Sequence, residues 1–213
     1  MERKVVTVLF TDVTESTKLA DRLDVEELRE VMSEWFAAVR AAIEAQGGTV
    51  EKYIGDAVMA VFGVPTAHED DPARALRAAL AIRDKLVDVN ERLRATHDLT
   101  MEIRTGINTG EAIATFDPAP GEAIVTGVAV NTAARLEQLA QPGQTVVAER
   151  TVRAAPGFRF QELGSRDLRG KEEPVRAFLL VDAEPDAQTR GLPGMHAPLV
   201  GRERELALLV TLY

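Results

Sequence analysis

The chain contains no cysteine. That absence excludes disulfides and thiolate metal sites, and it removes one mark of a secreted protein. No hydrophobic run approaches the roughly 20 residues of a membrane-spanning helix. The N-terminus carries Glu2 and then only a short apolar run before Asp12, which is not the pattern of a signal peptide. Positive charge is also scarce: 25 Lys and Arg stand against 34 Asp and Glu, for a formal net charge of −9. An acidic chain is a poor partner for a phosphate backbone, so nucleic acid is set aside. The cytoplasm is the default expectation, with neither a membrane nor a nucleic acid expected as partner. There is no internal repeat.

What remains is an ordinary globular composition, with 46% hydrophobic and 28% charged residues over 213 positions. That is enough for one sizeable core and an appendage. Two short β-prone runs, Thr49–Ile54 and Ala57–Phe62, flank Gly55-Asp56. Gly supplies the backbone freedom of a tight turn and Asp tolerates it, so the stretch reads as a hairpin with a carboxylate at its tip. Taken alone, such a carboxylate only solvates a turn.

A second stretch gives it a partner. Val5–Phe10 is a continuous apolar run, as expected of a strand buried on both faces, and it ends in Thr11-Asp12-Val13-Thr14-Glu15-Ser16-Thr17. An Asp there offers a hard oxygen to Mg²⁺. Backbone N–H groups at the start of the following helix can hold anionic oxygens. If this strand lies beside the hairpin, Asp12 and Asp56 meet and can share two divalent ions.

Residues 10–17 and 52–62 resemble two signatures of the class III adenylate and guanylate cyclases, and Gly127–Glu137 resembles that family's helix bearing an Asn and an Arg. Three ordered motifs at the expected separations make the resemblance specific, and it covers about residues 3–181. It implies an α+β fold with a mainly antiparallel sheet and flanking helices, of the ferredoxin-like (palm-like) kind. It also implies cyclisation of ATP to 3′,5′-cyclic AMP and pyrophosphate at a homodimer interface, with two Mg²⁺ or Mn²⁺ ions per active site.

Carried over residue by residue, the resemblance makes Asp12, Asp56 and the Val13 carbonyl the metal ligands. Backbone N–H groups of Val13, Thr14, Glu15, Ser16 and Thr17 cradle the triphosphate. Asn131 orients the ribose and Arg135 stabilises charge at the α-phosphate; their spacing of four places them on one helix face. Lys52 contacts the base. The second base-contacting position is Ile124, where adenylate cyclases tend to have Asp or Thr. Ile neither accepts nor donates a hydrogen bond. The expectation is therefore a modest ATP preference, with a guanylate cyclase, or a degenerate cyclase fold kept for dimerisation or nucleotide sensing, as the alternatives.

Elsewhere the apolar spacing predicts a helix through Leu28, Trp35, Val39 and Ile43, stopped by Gly47-Gly48. A second runs from Pro72 through Ala75, Ile82, Leu86 and Leu93, capped by Asp70 or Asp71. A third spans 128–140. Further strands are expected at Met101–Gly110, with the glycines at 106 and 110 marking bends or close backbone approach, then at Glu111–Phe116, near Ala123–Thr126, and at Thr145–Ala148, Phe158–Leu163 and Pro174–Val181. Asp117–Gly121 reads as a loop. Gly164–Glu172 imitates a phosphate-binding loop, but it has one residue too many between the glycines and Glu in place of Ser/Thr, so it reads as a surface turn. The cyclase unit is expected over 1–182 and a linker over 183–198. Residues 199–213 resemble the start of an AAA-type or signal-transduction ATPase module.

Overall fold

The computed structural model describes residues 1–115, 124–167 and 174–184. In chain order the elements are β1 (Glu2–Thr14), α1 (Ser16–Arg22), α2 (Val25–Ala45), β2 (Thr49–Ile54), β3 (Ala57–Phe62), α3 (Asp71–His97) and β4 (Glu102–Ala114). They continue with β5 (Val125–Thr126), α4 (Val128–Leu139), β6 (Thr145–Ala148), α5 (Glu149–Ala154), β7 (Phe158–Arg166) and β8 (Val175–Ala183). Among the described residues, eight strands form one sheet in the order β2-β3-β1-β4-β6-β8-β7, with β5 paired to the far end of β4. Every pairing is antiparallel except β4 with β6. This is the expected α+β arrangement.

Strand alternation sorts β1 onto two cores. Leu9 and Val13 join Trp35, Val39, Ile43, Leu76 and Ile82 on the face covered by α2 and α3. Val6, Val8 and Phe10 join Met59, Val61, Ala129 and Ala133 on the face covered by α4. Val5, placed by sequence in the doubly buried run, is instead 50% exposed. Helix α2 starts with a capping box in which Asp24 accepts from the Glu26 and Glu27 amides while Glu27 reaches back to the Asp24 N–H. The hairpin has the bounds read from sequence, and Gly55 adopts φ 64 at its tip.

Three expectations are corrected. The two strands anticipated around Gly110 are one continuous β4. Its glycines break nothing; they allow α4 to lie almost against the backbone. A Cβ at Gly106 would meet the Glu137 nitrogen at 2.2 Å and the Ala133 oxygen at 2.3 Å, and one at Gly110 would meet the Ala129 Cβ at 3.1 Å. Second, Asp70 stands at the N-cap of α3 but its side chain does not cap, because Arg74 and Arg77 take both its oxygens. Asp71 is buried and accepts from the His68 amide at 2.8 Å. Third, α5 was not foreseen; its six residues are too few for a periodic stripe.

Gly164–Arg166 belongs to β7, so the phosphate-loop imitation begins inside a strand; its residues 168–172 lie outside the described residues. So do the loop at 117–121 and the ATPase-like segment. Ala183 closes β8 instead of opening the linker, and from residue 185 the linker too lies outside the described residues. Among the described residues no helix is long and apolar enough to cross a membrane.

The contact of α4 with β4 is testable. Gly106→Ala is expected to lower stability by about 1–3 kcal/mol or more, since only backbone lies in the way of the added methyl. Gly110→Ala meets a side-chain methyl and should cost less. Urea unfolding of the two variants beside the wild type measures the difference; equal stabilities would contradict this packing.

Candidate active site

Asp12 lies two residues beyond Phe10 on β1, so it points to the α4 face of the sheet. Its register partner on β4 is Arg104. The Arg104 Nη2 donates to Asp12 Oδ2 at 2.8 Å, and its Nε pairs with the Glu137 carboxylate from α4. Asp56, from the hairpin tip, lies close enough to act on the Asp12 carboxyl through both charge and hydrogen bonding. The strand and the hairpin are therefore neighbours, and the two acids meet.

The electrostatics reflect crowding. Burial pushes the Asp12 carboxyl above its usual range; the Arg104 hydrogen bond opposes this and the charge of Asp56 adds to it. Glu137 is pushed up to about 7, first by burial, against the pull of Arg104, with Asp12 and Asp56 contributing further repulsion. Two acids on one guanidinium, with Asp56 acting on both acids, leave the cluster short of positive charge, which is chemistry that favours a divalent cation. Among the described residues no group of three or more His, Cys, Asp or Glu is spaced to hold a metal, so protein carboxylates alone do not complete a cage. The donor set fits an ion that keeps other oxygens for its substrate.

The loop expected to cradle phosphates divides. Val13 and Thr14 still belong to β1 and pair with Ile103 and Glu102. Glu15 takes a left-handed conformation with φ 55 and binds Lys18 at 2.5 Å, and Ser16 and Thr17 open α1. On α4, Ala129, Ala133 and Leu136 face the core, while Asn131 is exposed and Arg135 half-buried on the outward side. Those two residues share a face, as their spacing requires, and it is not the face turned to the sheet.

Lys52 lies opposite Met59, which puts it on the α4 side of the sheet near Ile124. None of Asp12, Asp56, Lys52, Asn131 and Arg135 lines the cavity of about 630 Å³ between the start of α4, the end of β4 and β8.

Sequence reasoning missed Arg104, Glu137 and Glu51. Arg104 needed the β1–β4 register. Glu137 had a usable signal, a carboxylate beside the apolar stripe of Ala129, Ala133 and Leu136. Glu51 is hidden by a bulge, since the ladder pairs Val50 with Ala60 and Lys52 with Met59, leaving Glu51 as the extra residue.

The chain is similar to known proteins over most of its length. It is 28% identical to the adenylyl cyclase CyaB from P. aeruginosa, with a TM-score of 0.81 over 87% of this chain and 97% of that one. With the guanylyl cyclase Cya2 it shares 27% identity and a TM-score of 0.78, over 88% and 96% of the two chains. Adenylate cyclase 1 of Rhizobium meliloti (strain 1021) is 30% identical over 184 residues, 84% of this chain and 28% of that protein. An uncharacterised protein of the same organism is 30% identical over 209 residues, 96% of this chain and 20% of its own length. The chain thus spans less than a third of either curated relative. The family model of the adenylate and guanylate cyclase catalytic domain matches residues 1–181. With that match and the meeting of Asp12 and Asp56 on one sheet face, the chain belongs to the class III adenylate and guanylate cyclases.

Proposed function

We propose that this protein is an adenylate cyclase that forms 3′,5′-cyclic AMP and pyrophosphate from ATP, as a homodimer with shared sites. The observation that carries the reading is the pair Asp12 and Asp56, brought together beside Arg104 on the α4 face. Its names among similar proteins include both adenylyl and guanylyl cyclases. Lys52, a donor suited to a ring nitrogen of adenine, inclines the choice to ATP, and Ile124 keeps guanylate cyclase as the second reading.

Asp12, Asp56 and the Val13 carbonyl would hold two Mg²⁺ or Mn²⁺ ions. When bound, such ions would lower the pKa of the attacking hydroxyl and neutralise charge on the leaving phosphates. The chain's own residues do the positioning, which dominates phosphoryl chemistry. Amides at residues 13–17 hold phosphate oxygens at the strand-to-helix turn. Asn131 fixes the ribose so that its 3′ oxygen lies in line with the α-phosphorus. Arg135 places charge where negative charge develops. Arg104, held from behind by Glu137, sits against Asp12 and keeps a cation beside the acid pair.

Asn131 and Arg135 point outward while Asp12 lies under α4, so one chain does not converge them. A two-fold pairing that sets the outer face of one α4 against the acid pair of its partner would complete two sites. Apolar side chains exposed beside each set fit such an interface: Tyr53 and Ile54 next to Lys52 and Asp56, and Val128 one turn before Asn131. We propose further that residues 1–182 act as the catalytic unit, and that 183–198 tether it to an ATPase-like module starting at 199.

Product analysis with Mn²⁺ and either ATP or GTP tests the activity. Asp12→Asn and Asp56→Asn are each expected to abolish cyclisation; near wild-type rates in the double variant would refute the metal assignment. Shared sites make a second prediction. Asp12→Ala should be inactive and Asn131→Ala should lose about 10²–10³ in rate, as when one oriented donor is removed. Mixing them should restore activity towards about half of wild type per heterodimer. A mixture of proven heterodimers no more active than the better single variant would rule out sharing.

Glu137 gives a pH signature in the metal-free protein. A carboxyl raised from 4.5 to about 7 favours the folded state fully below pH 4.5, and that contribution is lost as pH rises through 7. Relative to Glu137→Gln, wild type should lose up to about 3 kcal/mol of stability across this window. Parallel pH profiles in chemical denaturation would contradict it.

A further inference from the structure

Glu51 is a carboxylate buried beside Lys52 and the amides of Ile124 and Val125. Its side chain is 2% exposed, and neither oxygen has a hydrogen-bond partner. A buried, unsatisfied carboxylate is costly, by more than the usual price of a lost neutral hydrogen bond. Burial accordingly pushes its pKa up, while Lys52 and the amides of Val125 and Ile124 pull it part of the way back. Those influences locate it: the carboxylate lies between Lys52 on its own strand and the Ile124-Val125 segment across the site.

The bulge explains how it gets there. In a regular strand, neighbours such as Glu51 and Lys52 face opposite sides. Here the extra residue between Val50 and Lys52 lets both turn towards Ile124, and bulges at sheet edges commonly re-aim a side chain in this way. Lys52 Nζ lies 3.6 Å from Glu51 Oε1, so a donor and an acceptor stand side by side where Ile124 supplies neither.

We propose, building on the nucleotidyl cyclase reading above, that Glu51 is the base-reading acceptor of this chain: it takes an amino N–H of a 6-aminopurine while Lys52 donates to the adjacent ring nitrogen. Adenine presents one donor next to one acceptor on that edge, which matches one carboxylate oxygen and one ammonium. Guanine presents the reverse order there, an acceptor at position 6 beside a donor at the ring nitrogen, so in the same pose the carboxylate would face an oxygen and the ammonium an N–H. Glu51 thus replaces, from a different strand, the polar group missing at Ile124. It predicts sharper selection for ATP than Ile124 by itself implies.

The test compares ATP, GTP and purine riboside triphosphate, which lacks the amino group, in wild type and in Glu51→Ala. Both cyclisation and equilibrium binding of the 3′-deoxy forms are read, so that binding reports even where no product forms. Wild type is expected to prefer ATP over purine riboside triphosphate by about 10–100-fold, the worth of one charged hydrogen bond, in KM and in binding. Glu51→Ala should erase that preference while leaving purine riboside triphosphate binding unchanged, which a merely damaged fold would not do. Adding Ile124→Asp to Glu51→Ala should restore it. An undiminished ATP preference in Glu51→Ala overturns the assignment while leaving the cyclase reading intact, and a loss confined to GTP overturns the choice of adenine. Selective binding that depends on Glu51, without cyclic product from any nucleotide, upholds Glu51 and refutes the proposed activity.

Discussion

Helix α4 lies so close to β4 that no side chain fits between them at Gly106, where an added Cβ would come within 2.2 Å of the Glu137 nitrogen. Much else depends on that approach. It lowers Glu137 into contact with Arg104, whose other side reaches Asp12, so backbone proximity becomes a chain of three charged groups. It also fixes the roll of the helix. With Ala129, Ala133 and Leu136 turned to the sheet, Asn131 and Arg135 have only the outward side left. The small residues of α4 serve the same end as the glycines, since each missing methyl brings the helix axis closer.

The charge balance around Arg104 is deliberately incomplete. One guanidinium faces Asp12 and Glu137, with Asp56 nearby, and all three acids come from different elements. A buried ion pair contributes little net stability, because desolvation consumes most of the attraction. Gathering a surplus of carboxylates makes matters worse for the bare fold. Such an arrangement makes physical sense where a cation completes it, and proteins commonly accept local cost at sites of function.

Much of the fold was legible because local and tertiary demands agree. Gly55-Asp56 between two β-prone runs fixed both ends of the hairpin, and the stripes through Trp35 and Ile82 located the long helices. Legibility failed where a residue's role depends on something distant. Gly110 reads as a breaker until α4 is known to rest on it. Asp70 reads as a cap until Arg74 and Arg77 are seen to compete for its oxygens. In the site, Asp12 and Asp56 were legible from their positions at a strand end and a turn. Arg104 and Glu51 were not, the first because register is a long-range property and the second because a bulge breaks the alternation by which strands are read.

The pairing of β1 with β4 joins residues far apart in the chain, with Thr7 opposite Thr109 and their hydroxyls 2.9 Å apart. During synthesis β1 therefore emerges from the ribosome well before its main partner, which follows about 100 residues later. At about 5–20 residues per second, β1 spends roughly 5–20 s without that neighbour. During that time its run from Val6 to Phe10 has only the β2–β3 hairpin to cover one edge. Closing so long a loop is slow, and an unpaired apolar edge invites association with other chains. The early hairpin, made some 50 residues before β4, thus has a second role: it shelters the nascent strand that it will later help to arm with Asp56.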